Sequence, residues 1–519
     1  MDFEKINKIE TMFHEEVLSK DRETSILEFQ LRIFDLITLE STPLMEKLNF
    51  IKIISSNLEE FISIRLPDIP KNKIRHKIHM IEAIYKMIGK ALMDLNLRYG
   101  KFLPMEDRHK LIVQRNFDYI YSGDRDHVIS KELDDTIRIK EYSASNYLIY
   151  SGKKPSRIEE NVIISEYIRV PHCIMMLEDF IRCYRGKLQE EKIIGYKETD
   201  YYKELRNTDM VFRVPYESYD YITEFIHQMC TNENIIAIFI TLYRTAKDSV
   251  IIDSLIEARK LGKDVFVYIE PSARGDEYNN IRNIQKLLLN RVNVSCSYFN
   301  YKVHSKVFCA VSRDGVIYSH IGTGNYNENT ARVYTDTHLL TTNYDIGINS
   351  VNILLSIFNN KVIVPRITGL IGISPVTFRS TFVNLIDNEI EKGTNGKIYI
   401  KCNNMCDQNI IHKLYTAAKA GVDVKIICRT GCAALPMKNL EIRSKVGRYL
   451  EHDRMYIFGN RCFISSADLL LRNISKRVEV VCELDKPDTN EKTRNSFEYV
   501  WNTCTHELLS DGRWSMIIE

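Results

Sequence analysis

Hydrophobic and polar positions divide the chain into an N-terminal part with helical periodicity and a C-terminal part that alternates strands with helices. In three early segments, apolar residues recur at steps of three and four with few helix breakers: ILEFQLRIFDLI, PLMEKLNFIKIISSNLEEFISIRL and KIHMIEAIYKMIGKALMDLNLRYG. This spacing puts the apolar side chains on one face of a helix. The pattern predicts a helical N-terminal domain.

The pattern is less regular over residues 106–208, and strands alternate with helices from residue 209 onward. NIIAIFITLYR predicts a buried strand, DSVIIDSLIEARKLGK a helix that ends at Gly262, and DVFVYIEP a second strand. The same alternation continues through NNIRNIQKLLLN, VNVSCSYF, HSKVFCAVS and GVIYSHIG. It predicts an α/β domain with an open sheet.

This alternating pattern occurs twice. Residues 251–265 (IIDSLIEARKLGKDV) and 410–424 (IIHKLYTAAKAGVDV) are identical at eight of fifteen positions without a gap. The first copy runs on to His304-x-Lys306 and the second to His452-x-Arg454. We therefore predict two homologous α/β domains about a pseudo-twofold axis, each giving one His to a shared cleft. The predicted domains are residues 1–105, 106–208, 209–385 and 386–519.

Composition and charge narrow the class of protein. The 519 residues are 44% hydrophobic and 27% charged, as in globular proteins of several domains. With 71 Lys and Arg against 69 Asp and Glu, the formal charge is only +2, so binding of a polyanion requires a local concentration of Arg and Lys. The charged N-terminus lacks the apolar core of a signal peptide and no stretch is long enough for a membrane span, which predicts a cytoplasmic protein. The 12 Cys are scattered, often in apolar runs, and predict buried thiols rather than a zinc site.

The candidate chemistry is concentrated in residues 302–336, KVHSKVFCAVSRDGVIYSHIGTGNYNENTARVYTD. On a strand, His304 and Lys306 point to the same side, so that an imidazole and an ammonium share one pocket. A neutral imidazole can attack phosphorus, and Lys306 can hold a phosphate oxygen. The GTGN turn can direct backbone N–H groups toward an anion, and Arg332 adds positive charge. Taken alone, each fragment is more often a structural His or an ordinary hairpin turn.

The combined run KVHSKVF…YSHIGTGNYNENTARVYTDTHLLT closely resembles the signature of type 1 polyphosphate kinases. Those enzymes reversibly transfer the γ-phosphate of ATP to inorganic polyphosphate through a phosphohistidine, and their C-terminal domains are related to the phospholipase D superfamily. The resemblance implies that His304 is the phosphorylated nucleophile and that Tyr334 contacts the nucleotide phosphates. It further implies ATP or ADP and polyphosphate as partners, no nucleic acid, Mg²⁺ as cofactor and a homo-oligomer, either a dimer or a tetramer. Peripheral membrane association stays open.

The resemblance assigns roles to further residues. Asn57, in SSNLEEF, would hold the ATP base, although Ser56 and Asn57 also read as the cap of a helix. Arg244 and Arg274 match arginines of the magnesium-triphosphate site, and since a guanidinium cannot ligate a cation, they would hold the phosphates. Arg429 would contact ATP.

The second repeat adds a second catalytic group. The resemblance implies that His452 is a general acid or a second phosphate ligand, and that Arg477 and Glu479 lie near the two histidines. Glu479 is a candidate to orient an imidazole, and Asp336 is a candidate to orient that of His304. We interpret His320 and His338, which lie on either side of the GTGN turn, as structural.

The chain departs from the family pattern in its shortened head domain and in the short loop TGCAALPMKNLEIRSK before His452, which lacks a Gly-rich stretch. The predicted fold class is multidomain α/β: a helical N-terminal domain, a small α+β head domain and two homologous phospholipase D-like α/β domains. Two other functions stay open. One is a phospholipase D-like phosphodiesterase or nuclease, and the other is a non-catalytic polyphosphate-binding protein.

Overall fold

The computed structural model describes residues 21–66, 69–99, 193–273, 276–299, 301–363 and 371–517, and the backbone of four strands between residues 117 and 171. These residues belong to two units, Asp21–Glu190 and Glu191–Glu519. Within the described ranges, no helix combines the length and apolar character needed to cross a bilayer.

The first unit begins with the predicted helices, which are α1 (Arg22–Thr38), α2 (Leu44–Ile64) and α3 (Lys71–Tyr99). The Asp21 carboxylate caps α1 by accepting the Thr24 N–H at 3.2 Å. Four antiparallel strands follow in the order β2-β3-β1-β4. They are β1 (Phe117–Ser122), β2 (Lys140–Glu141), β3 (Tyr147–Ser151) and β4 (Tyr167–Pro171).

Asn57 lies in the interior of α2, so the interpretation of Ser56 and Asn57 as a helix cap is wrong. The apolar residues Ile54, Leu58 and Ile62 recur every four positions and are fully buried, which continues the helix through this stretch. The Asn57 amide donates a hydrogen bond to Gln30 Oε1 on α1 at 3.0 Å. Its predicted contact with the ATP base stays a prediction.

The second unit contains both predicted α/β domains, and the first of them is a mixed sheet flanked by helices. The order β12-β11-β10-β6-β7-β8 joins antiparallel strands to the parallel trio β6-β7-β8, and β5 pairs with β12. Its elements are α4 (Tyr201–Glu204), β5 (Met210–Val214), α5 (Asp220–Thr231), β6 (Ile235–Leu242), α6 (Val250–Lys260), β7 (Asp264–Ile269), α7 (Glu277–Leu289), β8 (Asn293–Ser295), β9 (Lys302–Val303), β10 (Val307–Ser312), β11 (Ile317–Gly322), β12 (Tyr334–Thr341) and α8 (Tyr344–Phe358).

The second α/β domain has a sheet of the order β13-β20-β19-β18-β14-β15-β16-β21-β22. Its elements are β13 (Ile371–Ser374), α9 (Phe378–Glu391), β14 (Lys397–Met405), α10 (Gln408–Lys419), β15 (Asp423–Cys432), β16 (Leu440–Ser444), β17 (Leu450–Glu451), β18 (Arg454–Phe458), β19 (Arg461–Ser465), α11 (Leu471–Ser475), β20 (Arg477–Leu484), α12 (Pro487–Asn502), β21 (His506–Leu508) and β22 (Trp514–Met516).

The two sheets share one topology, as the internal repeat predicts. Strands β5 to β12 of the first domain correspond one by one to β13 to β20 of the second, including the edge strands β5 and β13. Gly262 after α6 and Gly421 after α10 adopt φ of +85° and +95°, a left-handed conformation in which each helix ends. The predicted boundary at residue 385 falls inside α9, and β13 before it already belongs to the second sheet. The four-domain division stays a prediction.

Two short strands are exchanged between the domains. β9 of the first domain pairs in parallel with β20 of the second, and β17 of the second pairs in parallel with β12 of the first. A buried apolar cluster also combines residues of both domains, including Val303, Leu339, Ile464 and Val480. The exchange brings the segments that follow β9 and β17 to the boundary between the two sheets.

Candidate active site

His304 directly follows β9 and lies at the boundary between the domains. Its backbone N–H donates to the Val478 carbonyl of β20 at 2.9 Å. Residues 304–306 are not part of a strand, so the prediction of a continuous strand through His304 and Lys306 is wrong. The Thr241 hydroxyl donates to the Ser305 carbonyl at 2.8 Å and accepts from the Val307 N–H at 3.2 Å, which explains the interruption.

The imidazole of His304 is paired with a carboxylate of the other domain. Its Nδ1 lies 2.9 Å from Oε2 of Glu479, which is fully buried and accepts hydrogen bonds of 2.6 Å from both Ser466 and Asn473. The Tyr243 ring packs edge-on at 4.6 Å. With Glu479 ionised, Nδ1 carries the hydrogen and Nε2 keeps its lone pair.

Burial and neighbouring cations keep His304 neutral. The pKa of His304 is lowered well below its ordinary value of 6.5, first by burial and then by the charges of Lys306 and Arg477. The pKa of Glu479 is raised by burial, although both cations oppose this shift. The site therefore presents an uncharged imidazole, which is the nucleophilic form.

His452 directly follows β17 and has the equivalent arrangement. Its backbone N–H donates to the Thr335 hydroxyl at 3.0 Å, and its Nδ1 lies 2.8 Å from Oδ1 of Asp336. The Tyr334 ring is 5.3 Å from the imidazole. The pKa of His452 is lowered to about 4, mainly by burial, and Asp336 opposes that shift.

The structure corrects the predicted partner of Asp336. Asp336 was expected to orient His304, but it contacts His452, and Glu479 contacts His304 instead. The exchange of β9 and β17 is the cause, because each imidazole is carried to the strand of the other domain. Asp336 and Glu479 are both the third residue of their strands, β12 and β20, and are therefore equivalent by the repeat.

A buried cation follows each histidine by two positions. Lys306 Nζ donates to the His304 carbonyl and lies 5.5 Å from the centre of the Tyr243 ring, and burial lowers the pKa of Lys306 to about 7. Arg454 donates to the His452 carbonyl at 2.9 Å and to Asp468 at 3.1 Å. Burial lowers the pKa of Arg454, but the contacts with Asp468 and the charges of Asp336 and Glu479 together raise it.

The remaining predicted phosphate ligands are distributed unevenly. Arg477 begins β20, and Arg429 lies on β15 close enough for its charge to lower the pKa of His452. Arg244 follows β6, with its Nε 3.3 Å from Asp276. Arg274 lies outside the described residues, and Asn57 lies in the other unit.

His320 and His338 are both buried, with His320 Nε2 2.9 Å from His338 Nδ1 and His320 Nδ1 2.6 Å from the Tyr326 hydroxyl. This supports the structural interpretation. Two features of the site were not predicted from the sequence: Tyr243, which packs on His304, and the charges flanking His452. Their signal is adjacency to a motif residue, since Tyr243 precedes Arg244 and Asp453 follows His452.

Comparison with known proteins gives one consistent family. Models of the polyphosphate kinase N-terminal domain, C-terminal domain 1 and C-terminal domain 2 match residues 20–99, 200–362 and 371–519. The polyphosphate kinase of Staphylococcus epidermidis is 40% identical over 304 residues, which are 55% of this chain and 41% of that protein. That of Mycolicibacterium gilvum is 31% identical over 451 residues, 80% of this chain and 61% of that protein.

The fold agrees with these sequence matches. The crystal structure of polyphosphate kinase from Porphyromonas gingivalis superimposes with a TM-score of 0.72 at 20% identity, covering 97% of this chain and 96% of that one. The chain spans about half the length of the curated relatives that it matches. The three models together extend over both described units. The chain therefore belongs to the polyphosphate kinase family.

Proposed function

We propose that this protein transfers the γ-phosphate of ATP to inorganic polyphosphate, and in reverse to ADP, through a phosphohistidine on His304. The observation that carries the proposal is the crossed pairing of His304 with Glu479 and of His452 with Asp336. Each carboxylate occupies Nδ1 of its imidazole. Nε2 of His304 therefore keeps its lone pair for phosphorus, whereas Nε2 of His452 lies 3.2 Å from the Arg454 guanidinium. Family membership supports the reaction class.

Each half of the reaction balances. In the first, the Nε2 lone pair of His304 forms a bond to the γ-phosphorus, and the bond from that phosphorus to its bridging oxygen breaks, with the electron pair leaving on ADP. In the second, a terminal oxygen of polyphosphate attacks the phosphorus and the N–P electrons return to Nε2. Glu479 accepts the Nδ1–H throughout and stabilises the positive charge that the imidazole gains.

His452 serves as the acid or second phosphate ligand. Its pKa of about 4 belongs to the protein alone. A phosphate dianion near Nε2 raises the pKa of His452, because the negative charge stabilises the imidazolium. His452 therefore becomes protonated when the substrate binds. Phosphate oxygens would be held by Lys306 and Arg477 at the first site and by Tyr334 and Arg429 at the second.

Magnesium belongs to the same proposal. In the described part of the chain, no group of three or more His, Cys, Asp or Glu side chains is placed to hold a metal ion. The residues fit a metal that takes its ligands from the triphosphate and water, as Mg²⁺ commonly does. Arg244, and Arg274 by resemblance, would hold the phosphates, and the bound Mg²⁺ would neutralise their charge.

Two further features of the proposal come from the family resemblance: a homo-oligomer that is a dimer or a tetramer, and polyphosphate rather than nucleic acid as the polyanion. The proposed cytoplasmic location comes from the charged N-terminal segment. Peripheral association with a membrane stays open.

The test is labelling with γ-³²P-ATP and Mg²⁺, followed by polyphosphate synthesis. We expect wild-type protein to retain label in alkali and lose it in acid, as phosphohistidine does, and to make polyphosphate. His304→Ala should lose both, and His452→Ala should lose about 10²- to 10⁴-fold in turnover, the usual contribution of an acid catalyst. Polyphosphate binding without synthesis in either direction would overturn the proposal. Hydrolysis of a phosphodiester without ATP would instead favour the phosphodiesterase alternative.

A further inference from the structure

A group of buried charges surrounds His452 and has no assigned role in phosphate binding. Glu451 and Asp453, the two neighbours of His452 in sequence, are 3% and 0% exposed. Arg213 contacts Glu451 at 3.2 Å and Asp453 at 3.1 Å. Lys401 lies 3.0 Å from Glu451 and also contacts Asp453.

The group joins both domains to the segment that carries His452. Arg213 comes from β5 of the first domain, and Lys401 comes from β14 of the second. The Thr335 hydroxyl accepts the His452 N–H at 3.0 Å and donates to Asp453 at 2.7 Å. Thr335 precedes Asp336, which is the carboxylate that binds the imidazole of His452. The charges therefore fix the backbone on both sides of His452 against the strand of its carboxylate.

The first histidine site shows that the fold does not require these charges. By the strand registers of the repeat, Glu451 and Asp453 correspond to Val303 and Ser305, and Thr335 corresponds to Val478. Arg213 and Lys401 likewise correspond to Ile373 and Thr241, since the paired strands have the same register. All these positions are neutral around His304, although the backbone is arranged in the same way.

The difference between the two sites indicates that the charges around His452 fix geometry and are not needed to stabilise the fold. Buried ion pairs are often no more stable than apolar residues of similar volume, and the first site uses such residues. A network of charges with saturated hydrogen bonds instead fixes geometry, because each ion resists movement away from its partners. Here the geometry that it fixes is that of His452 relative to Asp336.

We propose that Arg213 and Asp453 are positioning residues that hold His452 against Asp336 across the domain boundary. This inference rests on the proposed function for its kinetic consequence, but the positioning of His452 does not depend on activity. A misplacement of about 1 Å at a reacting group costs on the order of 100-fold in rate. Loss of the network should therefore lower turnover through His452 alone.

The principal variant gives the second site the neutral residues of the first: Arg213→Ile, Lys401→Thr, Glu451→Val and Asp453→Ser together. The four charges leave at once, so none of the four stays buried without its partner, and the partly exposed Lys445 loses its contact of 3.7 Å with Glu451. Asp453→Asn and Arg213→Lys are the milder variants if the fourfold variant fails to fold. Arg379→Met is the control, because Arg379 forms a two-pronged contact of 2.9 and 2.8 Å with the buried Asp407 in the same domain, between α9 and α10.

We expect the network variants to lower kcat by about tenfold to 100-fold with little change in KM for ATP. The same substitutions in a His452→Ala background should have no further effect, since the residue through which they act is gone. Arg379→Met should retain wild-type turnover. Equal losses in both backgrounds, or no loss in a folded variant, would overturn the inference.

A second measurement separates this inference from the proposed function. In ¹⁵N-histidine-labelled protein, assigned with His304→Ala and His452→Ala, the ring signals of His452 should shift in the network variants while those of His304 stay in place. Unchanged His452 signals would overturn the inference whatever the activity. If the wild-type protein is inactive but the network variants still shift the His452 signals, the positioning role stands and the proposed function is rejected.

Discussion

The two histidine sites have the same backbone but opposite surroundings. At the first site, His304 packs on Tyr243 and pairs with Glu479, whose pKa burial raises. At the second site, His452 pairs with Asp336. Burial raises the pKa of Asp336, but the contacts with His452, His338 and Thr323 together lower it. The positions that flank His304 are thus neutral where those that flank His452 are charged, although each imidazole keeps a carboxylate and a cation nearby.

The cations that follow the histidines differ in the same sense. Lys306 can lose its proton near neutral pH, since burial lowers its pKa to about 7. Arg454 stays charged, since Asp468 raises its pKa. The fold supplies a carboxylate, an imidazole and a cation at each site, and the neighbouring residues decide which of these groups carries charge.

We expect the largest loss of activity from a substitution at the first site, Glu479→Gln. Glu479→Gln keeps the shape of the side chain but offers an N–H to Nδ1 of His304, which favours the tautomer with hydrogen on Nε2 and removes the attacking lone pair. We expect phosphohistidine formation to fall by about 10³- to 10⁴-fold, as for a wrongly fixed imidazole in a catalytic triad. Rapid-quench labelling with γ-³²P-ATP measures it.

Asp336→Asn makes the same change at the second site and serves as the matched comparison. His452 assists rather than attacks, so its loss should be smaller, about 10²-fold. Equal losses in the two variants would mean that the sites have equal roles, contrary to the assignment of His304 as the nucleophile.

The next prediction concerns the pH dependence of kcat/KM, in which Lys306 and Arg454 should differ. Lys306 is charged below its pKa of about 7 and becomes neutral above it. If the charge holds phosphate, kcat/KM for ATP should fall by up to about tenfold per pH unit above pH 7, because this parameter reports the free enzyme. Lys306→Arg keeps the charge and should abolish that alkaline decline. The same decline in Lys306→Arg would assign it to another group.

The sequence alone predicted the main architecture because the signals for it are local. The helices α1 to α3 follow from apolar spacing, and the two equivalent sheets follow from the repeat that begins at residue 251. His304 and His452 were found as motifs, and both lie at the boundary between the domains.

The pairing of the carboxylates was not predictable in this way. Asp336 is closer in sequence to His304, and the exchange of β9 and β17 that brings it to His452 is a long-range feature with no local signal. The same holds for Arg213, which stands on an edge strand of the other domain. Asn57 was interpreted as a cap from its residue type, yet the apolar spacing around it continued the helix.

A smaller effect on the second site comes from Gly324→Ala. A Cβ at this position would lie 2.0 Å from Asp336 Oδ2, so Asp336 must move away from His452. We expect about a tenfold loss of turnover with phosphohistidine formation less affected, measured in the same two assays. Gly195→Ala is the control, because a Cβ there meets nothing within 4 Å. Unchanged turnover in Gly324→Ala would show that the Asp336 contact is dispensable.

We expect the smallest effect on activity from substitutions of His320 and His338. These two buried histidines test directly how burial sets the charge of a side chain. Burial lowers the pKa of His338 to about 4, and that of His320 well below its ordinary 6.5. As pH falls from 6.5 to 4, the unfolded chain binds protons that the folded chain does not, so stability decreases by about 1.4 kcal/mol per pH unit for each histidine.

The second domain has Phe463 and Val481 at the equivalent strand positions, which removes both titrating groups. The urea concentration at the midpoint of unfolding should therefore decrease less between pH 6.5 and 4 in the double variant His320→Phe with His338→Val than in wild type. His304 and His452 leave a residual slope in both proteins, because their pKa values are also lowered. Turnover at pH 7.5 should stay close to wild type, since all four imidazoles are neutral there. An unchanged slope would mean that the buried pair accepts protons while folded, and a loss of turnover would move His320 and His338 from the structural core into the active site.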